Sequence, residues 1–139
     1  MRPSVGFRVD AEVNTSVQNT IKSPVRFEGV GLHSGARVRM IVHPASAEYG
    51  IWFRRTDVAG DRSGRDPMVP ASWSAVTPSR LCTVVENASG VSVSTVEHIM
   101  AALYGLHVDN CEVWVDAPEM PGCDGSSQAF VEALTAAEF

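Results

Sequence analysis

Ser94-Thr95-Val96-Glu97-His98-Ile99-Met100-Ala101-Ala102-Leu103-Tyr104-Gly105 reads as an amphipathic helix set after a long run of strand-like sequence, and that order decides the fold class. Ser94 with Glu97 three residues on has the form of a capping box, and Gly105 suits a C-terminal cap. At about 100° per residue, Val96, Ile99, Met100, Leu103 and Leu106 share one apolar face. His98 lies well away from that face, flanked by Ala101, Ala102 and Gly105, small residues that let another backbone, a domain or a ligand approach. The Glu97-His98 pair is where chemistry is concentrated. Taken alone it is a weak motif, because Glu97 has a structural use in a capping box and a catalytic zinc takes three protein ligands plus an open position.

Upstream, Ile21, Val25 and Phe27 alternate with polar residues across 19–30, as in a half-buried strand, and Pro24 favours a sheet edge. Gly29-Val30-Gly31-Leu32-His33-Ser34-Gly35 is a glycine-rich turn, and 37–43 alternates with Val38, Met40 and Val42 on one side, which makes a hairpin. Residues 50–55 read as a short apolar strand, 56–66 as a surface loop, 68–73 as a further strand and Pro78-Ser79-Arg80 as a turn. A second hairpin spans 81–86 and 91–93 through Asn87-Ala88-Ser89-Gly90. After the helix, 110–116 is a strand with Cys111, Val113 and Val115 on one face and Trp114 on the other. Residues 117–125 form a Pro- and Gly-rich loop, and 126–137 a closing helix with Phe130, Val131 and Leu134 as its stripe. Many strands followed by helices give an α+β, two-layer α/β sandwich, a mixed and mainly antiparallel sheet packed against two helices. Residues 1–17 have no sustained period and read as a flexible tail, leaving 18–139 as one domain.

Composition narrows the function. Apolar content of 45% with 19% charged residues is that of a globular chain rather than a disordered one. A net charge of −5 without a Lys/Arg patch argues against nucleic acid. No run is long enough to span a bilayer, and the first residues lack the apolar core of a secretory signal. Cys82, Cys111 and Cys123 are odd in number and lack metal-site spacing, as expected of reduced thiols in the cytoplasm.

Seven ordered segments say more than the pair does. Thr20-Ile21-Lys22-Ser23-Pro24 leads into the glycine-rich turn. Then come Gly50-Ile51-Trp52-Phe53-Arg54-Arg55, Leu81-Cys82-Thr83, Ser94-Thr95-Val96-Glu97-His98, Val108-Asp109-Asn110, and Ala117-Pro118-Glu119-Met120-Pro121 with Asp124-Gly125-Ser126. In this order they closely resemble the N-terminal domain of the UDP-3-O-acyl-N-acetylglucosamine deacetylases, zinc enzymes of lipid A synthesis. The resemblance implies two such domains facing each other through their helical layers with the active site between them. It makes His98 equivalent to a zinc ligand and Glu97 to the general base that acts on the attacking water. Leu81, Cys82 and Thr83 match a segment of the substrate cleft, and Asp124 matches a loop aspartate.

Structural alternatives stand beside several of these residues. Cys82 also fits a buried cysteine at a strand start, His33 either faces the site or is a surface histidine, and Asp124 suits a turn before a helix N-terminus. The family's remaining zinc ligands, a His-x-x-x-Asp pair, and its acid histidine belong to a second domain. His33, His43 and His107 do not begin such a pair. Zinc is therefore expected to be weakly held or absent in this chain alone. Three functional readings follow. The first is a non-catalytic relative that binds and regulates a full-length deacetylase, or pairs with a second copy of itself, through the face of Ala101, Ala102 and Gly105. The second is a zinc deacetylase completed by another chain or a missing second domain. The third is a UDP-sugar binding module without turnover.

Overall fold

Among the described residues eight strands and three α-helices follow one another in the order β1 (Val25–Val30), β2 (Arg37–Pro44), β3 (Ile51–Arg55), α1 (Thr56–Ala59), β4 (Met68–Pro70), β5 (Val76–Thr77), β6 (Val84–Glu86), β7 (Ser92–Ser94), α2 (Glu97–Gly105), β8 (Cys111–Val115) and α3 (Gln128–Ala137). The computed structural model describes residues 17–31, 33–77, 82–122 and 128–137. All of the expected N-terminal tail but Val17, the turn expected at Pro78-Ser79-Arg80, and the candidate residues Leu81 and Asp124 lie outside the described residues.

A five-stranded sheet in the order β1-β2-β8-β3-β4 is antiparallel except where β3 runs parallel to β8. The alternation read from the sequence sets its inner face. Val38, Met40 and Val42 of β2, Phe53 of β3, Val69 of β4 and Cys111, Val113 and Val115 of β8 are all buried. Against them pack Ile99, Ala102 and Leu103 from α2 and Phe130 and Leu134 from α3, with Phe27 meeting Phe130 edge to face at 5.0 Å. Burying a side chain such as Phe53 or Leu103 stabilises the fold by roughly 1.5–3 kcal/mol. The α+β class and helical layer are those the sequence implied.

Three details differ. The strand expected from residue 19 begins at Val25, because Asn19 and Thr20 are bound to the turn after α2 instead: the Asn19 amide donates to Asp109 Oδ2 at 2.9 Å, and Asp109 and Asn110 donate back to the Asn19 carbonyl. The loop expected over 56–66 opens with the single turn α1, which buries Val58 and lays Asp57 against Arg55. The second hairpin does not join the main sheet. Its strands β6 and β7 form a separate three-stranded sheet with β5, in the order β5-β6-β7. Arg55, buried at the end of β3, links the two sheets by binding Asp57 through two nitrogens, at 2.9 and 2.7 Å, and the Ser92 carbonyl at 2.8 Å. Asn87 adds a second link, its amide donating to the carbonyls of Asp66 and Met68 while its oxygen accepts from Ser89 and Val91.

Candidate active site

The helix bearing Glu97 and His98 starts later than its sequence signals indicate. Ser94 closes β7, and its side chain donates to the Pro118 carbonyl at 3.1 Å. The N-cap position falls on Val96 and no side chain caps the helix. The expected capping box is therefore not formed. What separates strand from helix is Thr95, which takes a φ of 62°. A β-branched residue in that region costs about 1–3 kcal/mol and is held only by its surroundings. At the other end the expected cap at Gly105 is also displaced. Gly105 is helical, and His107, at φ 59°, is the left-handed residue. His107 donates to Tyr104 O at 3.1 Å and Val108 to Leu103 O at 2.9 Å, a Schellman closure with histidine in the place glycine usually takes.

Freed from the capping box, the Glu97 carboxylate reaches across to the small sheet. Its Oε1 accepts the Thr83 backbone N–H at 3.1 Å, while the Thr83 carbonyl accepts the amides of Thr95 at 2.8 Å and Val96 at 3.4 Å. Thr83, which the sequence placed in the cleft, thus stands directly beside the candidate base, and Cys82 is half-exposed next to it. Glu97 also borders a groove of about 310 Å³ between α2 and the small sheet, whose walls include Phe53, Val85, Met100, Ala101 and Tyr104. Its neighbour His98 is half-buried and does not line that groove. A larger cleft of about 430 Å³ at the far end of α2, bounded by Trp52, Ser72, Tyr104, His107 and Asp109, contains none of the candidate catalytic residues.

The small-residue face needs one correction. Ala101 and Gly105 are exposed, but Ala102 is only 1% exposed and belongs to the same core cluster as Ile99 and Leu103 of α2 and Phe130 and Leu134 of α3. Met100, expected on the apolar face, is only half-buried and opens onto the groove, and Tyr104 beside it is 65% exposed.

His33 is exposed, and what it brings to the interior is its backbone. Its N–H donates to Glu119 Oε2 at 2.9 Å, the Ser34 N–H donates to Glu119 Oε1 at 3.0 Å, and the Thr95 hydroxyl donates to Oε2 at 3.3 Å. Glu119 is 3% exposed. Burial pushes its carboxyl upward, but the donors from His33, Ser34 and Thr95 outweigh this and hold it below the usual glutamate range. Gly31 makes the close approach feasible, since a Cβ there would lie 2.2 Å from Glu119 Oε1. The sequence reading gave Glu119 no role. Its signal was an acid without a basic neighbour inside a Pro-rich apolar loop.

Residues 18–139 match the LpxC family, UDP-3-O-acyl N-acetylglycosamine deacetylase. The chain belongs to that family. Over 117 residues it is 54% identical to the UDP-3-O-acyl-N-acetylglucosamine deacetylase of Phenylobacterium zucineum, an alignment covering 84% of this chain and 39% of that enzyme. The deacetylases of Photobacterium profundum and Vibrio campbellii are 46% and 48% identical over 122 and 119 residues, or 86% and 84% of this chain and 38% and 37% of theirs. The chain thus spans about two fifths of the length of these deacetylases.

Family membership brings zinc into question. Among the described residues no three His, Cys, Asp or Glu side chains gather around a common point. His98 offers one imidazole, and Glu97 is engaged with Thr83. One ligand falls short of the three that a catalytic zinc takes, so the described residues do not by themselves fit the metal. Among the described residues no helix is long and apolar enough to cross a membrane.

Proposed function

We propose that this chain forms the half of a deacetylase site that holds the general base, acting on UDP-3-O-acyl-N-acetylglucosamine in lipid A synthesis in the cytoplasm. The observation behind the reading is the state of Glu97. One carboxylate oxygen is pinned by the Thr83 N–H, and the side chain is half-exposed at the rim of a groove rather than folded back onto its own helix. A base needs that arrangement: one oxygen oriented, the other within reach of water. In the proposed reaction Oε2 takes a proton from water as the water oxygen attacks the acetamide carbonyl. The carbon–nitrogen bond then breaks, with the proton going to the departing nitrogen, to leave acetate and the free amine. The remaining zinc ligands and the acid come from a second unit packed over α2, in the same polypeptide or another. Co-expression of the 139-residue chain with the remaining portion of the Phenylobacterium zucineum enzyme tests this, with acetate release from the UDP-sugar as readout. Turnover that requires both parts supports the reading, and zinc-replete mixtures that stay silent refute it.

A second reading keeps the same face but no turnover: the chain binds a full-length deacetylase, or a second copy of itself, and regulates it. The exposed Tyr104 beside Ala101 and the apolar groove favour such docking. Titrating the chain into a full-length deacetylase separates the two. A saturable change in rate, with no activity in the co-expressed assembly, supports regulation. Saturable UDP-sugar binding with neither effect points to a binding module.

A further inference from the structure

Glu119 is the one acid that is buried among the described residues, and the deacetylase reading leaves it without a task. We infer that Glu119 is a positioning residue for Glu97, acting through Thr95 and Thr83; the inference rests on Glu97 serving as the base. The contacts form a continuous chain. Glu119 Oε2 accepts the Thr95 hydroxyl at 3.3 Å, the Thr95 N–H donates to the Thr83 carbonyl at 2.8 Å, and the Thr83 N–H donates to Glu97 Oε1 at 3.1 Å. Thr95 stands at φ 62°, so its place depends on what grips it. The backbone just before it is gripped from the same loop, with the Ser94 N–H donating to Pro118 O at 2.8 Å and the Met120 N–H donating to Ser94 O at 3.1 Å. If Thr95 relaxes to an ordinary strand or helix conformation, its hydroxyl leaves Glu119 and its N–H leaves Thr83. The anchor of the base then shifts. The same carboxylate binds the His33 and Ser34 amides, so the glycine-rich turn and the start of α2 share one anchor.

A glutamine has the shape of Glu119 but not its bonding. The three donors from His33, Ser34 and Thr95 occupy both carboxylate oxygens. An amide offers one oxygen and turns its NH2 toward at least one of those donors. Amide NMR spectra of the full 139-residue chain, compared with Glu119→Gln, Thr95→Ala and Thr95→Ser, test the link. Glu119→Gln and Thr95→Ala are expected to shift the Thr83 and Glu97 amides in the same direction, and Thr95→Ser to return them most of the way. In an active assembly Thr95→Ala is expected to lower kcat by about 10- to 100-fold at unchanged KM, with Thr95→Ser recovering most of the loss. Movement of only the His33 and Ser34 amides in Glu119→Gln would overturn the inference, making Glu119 a clamp for the glycine-rich turn. An unmoved Thr83 amide in Thr95→Ala overturns it as well, and decides the matter if Glu119→Gln does not fold. So does a shifted Thr83 amide with unaltered kcat. If no assembly turns over at all, it is the deacetylase reading that fails, and the spectra still decide the link from Glu119 to Glu97.

Discussion

Glu119 and Glu97 are two glutamates joined by one line of hydrogen bonds, and their surroundings differ in a way that separates structure from chemistry. Glu119 is buried and held at both ends, with a hydrogen-bond donor on each oxygen and a glycine cleared to admit it. Glu97 is half-exposed and, among the described residues, has a single donor, on one oxygen. A buried carboxylate whose two oxygens both accept from the protein is turned away from any substrate. One with a pinned and an open oxygen is oriented and still able to take a proton. Burial and satisfaction mark the frame, and incomplete satisfaction marks the candidate for reaction.

The sharpest contrast should appear on removing the open carboxylate. In an active assembly Glu97→Gln is expected to lower turnover by about 10²–10⁴-fold, while unfolding stability of the chain changes by no more than about 1 kcal/mol. Steady-state rates and urea titration check the two halves of that statement. Loss of stability in place of activity would put Glu97 in the frame with Glu119.

Crowding the buried carboxylate should do the reverse. Gly31→Ala places a methyl group 2.2 Å from Glu119 Oε1 and is expected to cost about 1–3 kcal/mol in urea unfolding. Equal stability of the two chains would mean that the cradle is loose.

Acid should distinguish the two glutamates next. The folded-state carboxyl of Glu119 is held below its ordinary value by the donors that outweigh its burial. A group depressed on folding contributes stability that is fully present above its unfolded pKa, about 4.3 for glutamate, and that is lost as pH falls through the lower folded value. The stability of the wild-type chain should therefore fall more steeply below about pH 4 than that of Glu119→Gln. Parallel curves would show that the cradle does not favour the charged form.

The smallest effect is expected at Ser94. Because its hydroxyl does not cap α2, Ser94→Ala should change stability by only about 0.5 kcal/mol, whereas loss of an N-cap typically costs about 1 kcal/mol. A loss of the larger size would restore the capping box that the sequence signalled.

Much of the frame was legible because burial follows periodicity. The alternation of Val38, Met40 and Val42, and of Cys111, Val113 and Val115, named the inner sheet face, and Phe130 and Leu134 named the buried stripe of α3. Glu97, His98 and Thr83 became candidates through the segments that carry the family resemblance, and the structure brings Glu97 and Thr83 into contact. Legibility ended where long-range contacts override local signals. Ser94 and Glu97 have capping-box spacing, but Pro118 and Thr83 claim their side chains from 24 and 14 residues away. Ala102 looked like part of an open strip, yet it is buried in the core cluster with Ile99 and Leu103. No local pattern announces that Thr95 is left-handed or that Glu119 holds it, since both depend on the glycine-rich turn 60 and more residues upstream.

If Glu97 is the base of a site that this chain half supplies, turnover must depend on its carboxylate. Acetate release from UDP-3-O-acyl-N-acetylglucosamine, compared between assemblies that carry the wild-type chain and Glu97→Gln at matched zinc content, tests it most directly. Turnover by the wild-type assembly and its near-complete loss in the variant, with complex formation intact, are the expected results. Turnover undiminished by Glu97→Gln would contradict it, and so would a stable, zinc-loaded wild-type assembly that releases no acetate.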